Sequence, residues 1–245
     1  MGLFRYSGNK EKLTKHYKTP PKGTKRIVEL FLGSGAYSIA NSEIPAIGYE
    51  INSYLCQMWD FLKGSSQKEL EDLDAFIRDC KSKEEKPDCK VLGLPKGKET
   101  YVRVNCTGVY TGQLGSWKIY PQHNLPIEKT IALLPKIQQI EIVNQSYETY
   151  QEQEGDLVFC DPPYIGTYAG YKSGKSHEDK FNPESVSGFL KTLTVPIIFT
   201  YGTSCQTIFP DYEWEKILDK KVPNIRCGGT VDRTENVCYI NWPKE

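Results

Sequence analysis

The most constraining feature of the sequence is a short apolar segment, 27–31, that runs directly into the glycine-rich turn LGSG. A buried strand followed by such a turn and by a helix, predicted here over 36–42, is typical of an α/β unit. An apolar segment at 46–50 and a helically spaced segment at 53–63 repeat the pattern. Strands that alternate with helices favour a parallel sheet covered by helices.

The same alternation resumes in the second half of the chain. The strand-like segments there are 140–143, 156–160, 195–201 and 236–242. We expect the last of them to pair antiparallel at the end of the sheet. A helix is predicted over 183–193, because Asn182 is a good N-cap and Pro183 suits the first helical position.

The segment between these two halves has a different composition. It is rich in Lys, Glu and Asp over 63–100, and in Gly, Pro and Asn with scattered aromatic residues over 87–125. We therefore predict one α/β domain formed by 1–63 and 131–245, with 64–130 as an inserted subdomain. A chain of 245 residues is long enough for this arrangement.

Composition and charge exclude several classes of protein. With 38% hydrophobic and 25% charged residues, the chain is typical of a soluble globular protein, and its apolar runs are too short to cross a membrane. Eight cysteines without a CxxC pair, and no signal-peptide pattern, predict a cytoplasmic protein with reduced thiols. Residues 1–26 carry eight basic side chains and one acidic one, which suits contact with phosphate. A solvated surface helix is the alternative interpretation of this charge.

A G-x-G motif, Gly33-Ser34-Gly35, follows the first predicted strand. Glycine lets the backbone approach a ligand closely at the carboxyl edge of a parallel sheet. Glu50 ends the second predicted strand, where its carboxylate can accept hydrogen bonds from ribose hydroxyls. Ser38 stands where the dinucleotide fingerprint has its third glycine, so the pattern favours another kind of nucleotide site. An ordinary tight turn is the alternative.

The sharpest motif is Asp161-Pro162-Pro163-Tyr164, directly after the predicted strand 156–160. The exocyclic amine of adenine is a poor nucleophile because its lone pair is delocalised into the ring. A carboxylate at Asp161 and the carbonyl of Pro162 can accept its two N–H bonds, which aims the lone pair at an electrophile. Pro162 and Pro163 stiffen the loop and remove competing N–H donors. Tyr164 offers a ring face for stacking a base, which contributes about 1–3 kcal/mol.

The combination of DPPY with an upstream F-x-G-x-G resembles the amino-group methyltransferases that use S-adenosylmethionine. The order of motifs is similar to that of the Dam family of DNA adenine-N6 methyltransferases. The motifs that carry this resemblance are Arg5-Tyr6-Ser7-Gly8-Asn9-Lys10, the G-x-G turn, Glu50-Ile51-Asn52, Ser146-Tyr147, DPPY, Phe181, IIFTYGT at 197–203, and Cys227-Gly228-Gly229-Thr230. They span nearly the whole chain.

The resemblance implies a Rossmann-like methyltransferase fold with a mixed, mostly parallel sheet and an inserted target-recognition subdomain. It implies these S-adenosylmethionine-binding residues: Tyr6, Lys10, Phe31, Gly33, Ser34, Gly35, Glu50, Ile51, Ser146, Tyr147 and Asp161. For Lys10, contact with the cofactor and contact with DNA both stay open. The DPPY residues would carry catalysis, and no metal is expected.

DNA contacts are also implied by the resemblance. The target adenine must be flipped out of the duplex, where Tyr164 is the first candidate to hold it, with Tyr168 and Phe181 as further candidates. Arg103-Val104-Asn105 matches the spacing of a family element whose arginine reads guanine, so we expect Arg103 and Asn105 to contact DNA. The residues on either side of this element differ from the family pattern, so no recognition sequence is predicted.

The sequence therefore predicts a site-specific DNA adenine-N6 methyltransferase acting on double-stranded DNA. A cognate restriction endonuclease sharing the recognition sequence, without binding the chain, is a further expectation. Two alternatives stay open: a cytosine-N4 or RNA-base methyltransferase, and a catalytically idle DNA-binding protein. A small-molecule methyltransferase would need neither the insertion nor the basic first segment.

Overall fold

The fold is built on one central sheet. The structure is a computed structural model and describes residues 9–107, 117–164, 182–223 and 230–243. Its strands are β1 (Arg26–Glu29), β2 (Ala46–Tyr49), β3 (Ile140–Val143), β4 (Asp156–Cys160), β5 (Ile197–Tyr201), β6 (Glu215–Pro223) and β7 (Thr230–Ile240). They form a seven-stranded sheet in the order β3-β2-β1-β4-β5-β7-β6.

Six strands of this sheet run in one direction, and β7 runs in the opposite direction. The neighbouring pairs among β3, β2, β1, β4 and β5 are all parallel. Strand β7 pairs antiparallel with β5, and β6 pairs antiparallel with β7. The predicted α/β class with a mixed, mostly parallel sheet is therefore confirmed, as is the antiparallel pairing of the last predicted strand.

The central strands are mostly apolar because both faces of the sheet are covered. Every residue of β4 and of β5 is buried. One face contributes Ile27 and Phe159 to a core that includes Trp59, and the other contributes Val28 and Phe199. Near-continuous apolar runs are the pattern that a parallel sheet buried on both faces requires.

The strand order creates a crevice at the centre of the sheet. From β1 the chain moves outward through β2 to β3, and from β4 it moves outward through β5 in the opposite direction. Connections that diverge in this way leave an opening beyond the carboxyl ends of the two central strands, where ligands bind in open α/β sheets. The G-x-G turn follows β1 and DPPY follows β4, so both motifs lie at this crevice.

The helices connect and cover the strands. They are α1 (Ala36–Ala40), α2 (Ser53–Gly64), α3 (Gln67–Lys83), α4 (Lys96–Cys106), α5 (Ile127–Ile137), α6 (Pro183–Thr192) and α7 (Cys205–Ile208). In α6 the Asn182 side chain accepts a hydrogen bond from the Glu184 amide, and Pro183 occupies the first turn, as predicted. None of the helices in the described ranges has both the length and the apolar character needed to cross a bilayer.

The segment 64–130 packs against the α/β frame and shares its core. Leu70 of α3 and Tyr101 of α4 belong to the same buried cluster as Ile27 of β1 and Trp59 of α2. Helix α5 also runs across the boundary expected at residue 130. The segment is therefore continuous with the main core, and its separate role in DNA recognition stays a prediction.

Helix α4 and strand β6 were not predicted from the sequence. Helix α4 contains Thr100, Val102 and Val104, and β-branched residues have low helix propensity. All residues from Glu99 to Cys106 are buried, so tertiary packing stabilises a helix that local sequence does not favour. The sequence of the edge strand β6 is largely polar, so it does not indicate a strand that pairs with β7.

A buried ion pair joins β1 to β4 at the amino-terminal ends of these two strands. The carboxylate of Asp156 accepts two hydrogen bonds of 2.8 Å from the Arg26 guanidinium. It also accepts one of 2.7 Å from the Tyr150 hydroxyl and one of 2.9 Å from the Gln153 amide. Four donors therefore depend on one carboxylate, whose side chain is 2% exposed.

We expect Asp156→Ala to destabilise the fold by about 3 kcal/mol, because it leaves the Arg26 charge without its partner. The measurement is urea unfolding followed by circular dichroism. Lys191→Ala is the control, since it breaks an exposed ion pair with Asp211 that contributes less than about 1 kcal/mol. Equal losses of unfolding free energy in the two variants would contradict the larger stabilisation that we assign to the contacts of Asp156.

Candidate active site

The G-x-G turn after β1 is held against helix α2. Gly33 and Gly35 have φ angles of 46° and 58°, in the left-handed region that glycine adopts without strain. The Trp59 indole donates a hydrogen bond of 3.1 Å to the Gly33 carbonyl, and a Cβ at Gly35 would lie 2.8 Å from the Trp59 ring. Ser34 between them is buried. The turn is therefore fixed in place, with its backbone at the mouth of the crevice.

Glu50 lies beside this turn at the end of β2. Its carboxylate accepts hydrogen bonds from the Gly33 amide at 3.2 Å and from the Asn52 amide at 2.9 Å. Its backbone carbonyl accepts one of 2.7 Å from the Asn144 side chain. Burial raises the pKa of the Glu50 carboxyl to about 7. The first two strands and the loop after β3 thus meet at one acidic side chain.

Aromatic and apolar side chains follow β1, β2 and β3 at the same edge of the sheet. The rings of Phe31 and Tyr147 have centroids 4.9 Å apart, and the Tyr147 hydroxyl lies 3.0 Å from the Ser185 hydroxyl. Ser146 caps a short helical turn by accepting a hydrogen bond from the Glu148 amide. Ile51 is 57% exposed, which is unusual for an isoleucine next to a sheet edge. The structure thus brings most of the predicted cofactor residues to one edge, and their contact with a cofactor stays a prediction.

Asp161 lies at the carboxyl end of β4. Its Oδ1 accepts a hydrogen bond of 2.8 Å from the Thr200 hydroxyl and pairs with the Lys10 ammonium at 2.9 Å, and the Tyr164 hydroxyl oxygen lies 3.2 Å away. Within the described residues, all of these contacts end on Oδ1 and none on Oδ2. The following Pro162 is buried and lacks an amide donor. One carboxylate oxygen is therefore fixed by the protein while the other remains an acceptor.

Lys10 is part of this catalytic cluster. Its ammonium pairs with Glu235 Oε1 at 2.7 Å as well as with Asp161, and it donates a hydrogen bond to the Tyr164 hydroxyl. The residue is only 2% exposed. An ammonium has three donors, and these three acceptors match them. The structure thus places Lys10 against the DPPY motif, and its contact with the cofactor or with DNA stays a prediction.

Glu235 was missed by the sequence analysis. The predicted last strand began one residue after it, whereas β7 includes it, and its side chain is buried beside Lys10 and Tyr164. Burial raises the pKa of the Glu235 carboxyl, and the adjacent Lys10 ammonium opposes this shift. The available signal was the alternation in β7, which puts Glu235 on the same face as the buried Val237.

The Tyr164 ring is held by contacts on several sides. It packs on Tyr201 with ring centroids 4.6 Å apart, and the Lys10 ammonium lies 4.5 Å from its centroid. Its hydroxyl donates to Glu235. A Cβ at Gly202 would lie 2.9 Å from this ring, so glycine there allows the close approach. Stacking of a base on Tyr164 stays a prediction, and Tyr6, Tyr168 and Phe181 lie outside the described residues.

Arg103 and Asn105 do not lie on a surface that could contact DNA. Both side chains belong to α4 and are buried, with 2% and 1% of the residue exposed. The Arg103 guanidinium lies over the Trp117 ring at 3.5 Å and near the Glu99 carboxylate at 3.8 Å. The Asn105 amide donates to the Tyr101 carbonyl. Because these contacts bury both side chains, the expected role in reading guanine does not fit the structure.

The mixed, mostly parallel seven-stranded sheet is consistent with the fold of S-adenosylmethionine-dependent methyltransferases, and the G-x-G turn and DPPY both lie at its central crevice. Residues 94–193 match the family model of the D12 class N6 adenine-specific DNA methyltransferases. The chain is also similar to the Retron Ec67 DNA adenine methylase of Escherichia coli, with 21% identity over 276 aligned residues that cover 98% of this chain and 93% of that protein. Both similarities support the prediction of a Dam-like DNA adenine-N6 methyltransferase.

The raised pKa of Glu50 predicts pH-dependent cofactor binding. The ionised carboxylate accepts hydrogen bonds from hydroxyls better than the neutral acid, so affinity for S-adenosylmethionine should fall as the pH drops through about 7. Glu50→Gln should bind ~10-fold more weakly and without this pH dependence, since hydrogen bonds to a charged group contribute about 1.5–3 kcal/mol. Calorimetric titration checks both. Glu141→Gln, an exposed carboxylate on β3, should leave binding unchanged. A Glu50→Gln profile identical to that of the parent would contradict the assignment.

The burial of Arg103 predicts a structural effect of its removal. Arg103→Ala should lower the free energy of unfolding by about 2 kcal/mol, because it removes the contact with the Trp117 ring and leaves a cavity. Sequence preference in methylated DNA, measured by sequencing, should not change at any single base. Arg78→Ala, which removes an exposed arginine of α3, is the matched control for stability. Unchanged stability with relaxed preference at one base would instead restore the DNA-reading role.

Proposed function

We propose that this enzyme transfers a methyl group from S-adenosylmethionine to N6 of an adenine flipped out of duplex DNA within a fixed short sequence. The observation that carries the proposal is the arrangement at Asp161. Its Oδ1 is held by Lys10 and Thr200, while its Oδ2 accepts nothing within the described residues. A carboxylate oxygen kept available at the crevice suits an amine that must be oriented.

The edge formed by β1, β2 and the loop after β3 is chemically suited to S-adenosylmethionine. The Glu50 carboxylate already accepts backbone N–H bonds, so it can also accept hydrogen bonds from ribose hydroxyls. Phe31, Tyr147 and Ile51 offer apolar and aromatic surface for an adenine ring. Gly33 and Gly35 let the backbone approach the ligand closely. When bound, S-adenosylmethionine supplies an electrophilic methyl group.

The chain's own groups would orient the target amine. Oδ2 of Asp161 accepts one N–H bond of adenine N6 and the Pro162 carbonyl accepts the other, which directs the nitrogen lone pair toward the methyl donor. Tyr164 holds the flipped base with its ring, whose orientation is fixed by Tyr201 and by the hydroxyl contact to Glu235. The N–CH₃ bond would form as the methyl–sulfur bond of the donor breaks, with its electron pair left on sulfur, and the nitrogen would release one proton to solvent. No covalent bond to the enzyme is required.

Duplex DNA is the proposed partner, and the proposed place of action is the cytoplasm. The hypothesis that a restriction endonuclease shares the recognition sequence stays a prediction. Tyr6, Tyr168 and Phe181 keep their predicted roles at the cofactor and at the flipped base. Arg103 and Asn105 have no place in this proposal because they are buried.

The test is methyl transfer from labelled S-adenosylmethionine to unmethylated duplex DNA, followed by sequencing that maps the modified base. We expect N6-methyladenine at one short sequence. Label found only on cytosine or RNA would overturn the proposed substrate, and no label with cofactor bound would indicate an idle DNA-binding protein.

Asp161→Ala should reduce kcat by ~100-fold or more, because the amine loses the acceptor that orients it. Cofactor binding, measured by calorimetry, should remain detectable. Lys191→Ala, on the far surface, is the control for expression and handling. A variant without Asp161 that keeps most of its kcat would refute the proposed role of this carboxylate.

A further inference from the structure

A buried carboxylate in the last strand has no assigned role in methyl transfer. Glu235 is 1% exposed and lies on the β7 face that also carries the buried Val237. The adjacent Asn236 turns to the other side and donates to the Gly202 carbonyl at 3.0 Å. A carboxylate in such a position is costly unless it is paired and hydrogen-bonded. The identity of its partners therefore indicates its role.

All of the described partners of Glu235 belong to the active site. Its Oε1 pairs with the Lys10 ammonium at 2.7 Å and accepts a hydrogen bond from the Tyr164 hydroxyl. The same ammonium reaches Asp161 Oδ1 at 2.9 Å. Glu235 and Asp161 thus share one cation, and Glu235 contacts both groups that fix Asp161 from this side. A carboxylate that only anchored β7 would not require contacts with both Lys10 and Tyr164.

The shared cation constrains how Asp161 can be used. With Asp161 as its only counter-ion, the Lys10 ammonium could move across the carboxylate and occupy Oδ2, which the target amine needs. The Glu235 carboxylate holds the Lys10 ammonium on the Oδ1 side of Asp161. It also leaves the three groups with a net negative charge when both acids are ionised, so Asp161 is not fully neutralised by Lys10.

We propose that Glu235 is a positioning residue for methyl transfer, which holds Lys10 and Tyr164 so that Asp161 keeps one oxygen for the target amine. This inference rests on the proposed function. Glu235 acts through its neighbours and touches neither the substrate nor the methyl donor. Its removal should therefore lower the rate of the chemical step more than the binding of either ligand.

The test compares Glu235→Gln and Glu235→Asp in single-turnover assays with saturating cofactor and DNA. Glu235→Gln keeps the side-chain shape but loses the charge, so the rate should fall ~10- to 100-fold, as is typical of a displaced catalytic group. Cofactor and DNA affinities should stay within a few fold of the parent. Glu154→Gln is the matched control, because its carboxylate pairs with Lys25 on the exposed surface, and it should leave the rate unchanged.

The pH profile separates positioning from a merely structural role. The described groups that face Glu235 are Lys10, Asp161 and Tyr164, with Tyr17 beside them. Burial raises the pKa of Glu235, so the parent rate should fall with decreasing pH as this acid is protonated and Lys10 loses its second counter-ion. Glu235→Gln should lack that decline, and Glu235→Asp, which keeps the charge, should retain it with a partly restored rate.

Each outcome decides the inference. Rates are expressed per folded enzyme, determined by cofactor titration, so that a loss of stability alone does not imitate the expected result. A Glu235→Gln rate within twofold of the parent overturns the inference and leaves the proposed function standing. If Glu235→Gln does not fold, a Glu235→Asp profile without the acid decline overturns it. A parent enzyme that methylates no DNA overturns both the inference and the proposed function.

Discussion

The active site depends on the parallel pairing of β1 with β4 at the centre of the sheet. This pairing brings the carboxyl ends of two strands together from distant parts of the sequence, and with them the G-x-G turn and Asp161. The connections leave these strands in opposite directions, which creates a crevice beyond their carboxyl ends. The fold thus provides both the opening and the two motifs at its edge. The Arg26–Asp156 ion pair fixes the same two strands at their other end.

Charge is arranged around this opening in two separate groups. Glu50, at the β1–β2 side, is held by backbone amides, and Asp161, at the β4 side, is held by Lys10 and Thr200. The first group suits hydroxyl donors, whereas the second suits an amine. Because Glu235 shares Lys10 with Asp161, the second group includes residues from four distant segments of the chain. The β4–β5 side is therefore more tightly constrained than the β1–β2 side.

The sequence alone predicted the strands from β1 to β5 to within a few residues, since buried strands carry continuous apolar runs, and it predicted the second half of β7. It also predicted the G-x-G turn, Glu50 and the DPPY motif at one edge. It did not predict α4, whose helical form depends on tertiary burial, or the pairing of Glu235 with Lys10, which joins the two ends of the chain. Arg103 matched a motif by spacing, but spacing does not reveal that the side chain points to Trp117.

The position of Glu235 in the last strand has a consequence for biosynthesis. A ribosome completes the G-x-G turn and the DPPY loop well before it completes β7, and β7 must then insert between β5 and β6. Until that happens, Lys10 lacks one of its two carboxylate partners. A nascent chain could bind nucleotide-like ligands early and still lack the finished catalytic cluster. The onset of activity would then report the completion of folding.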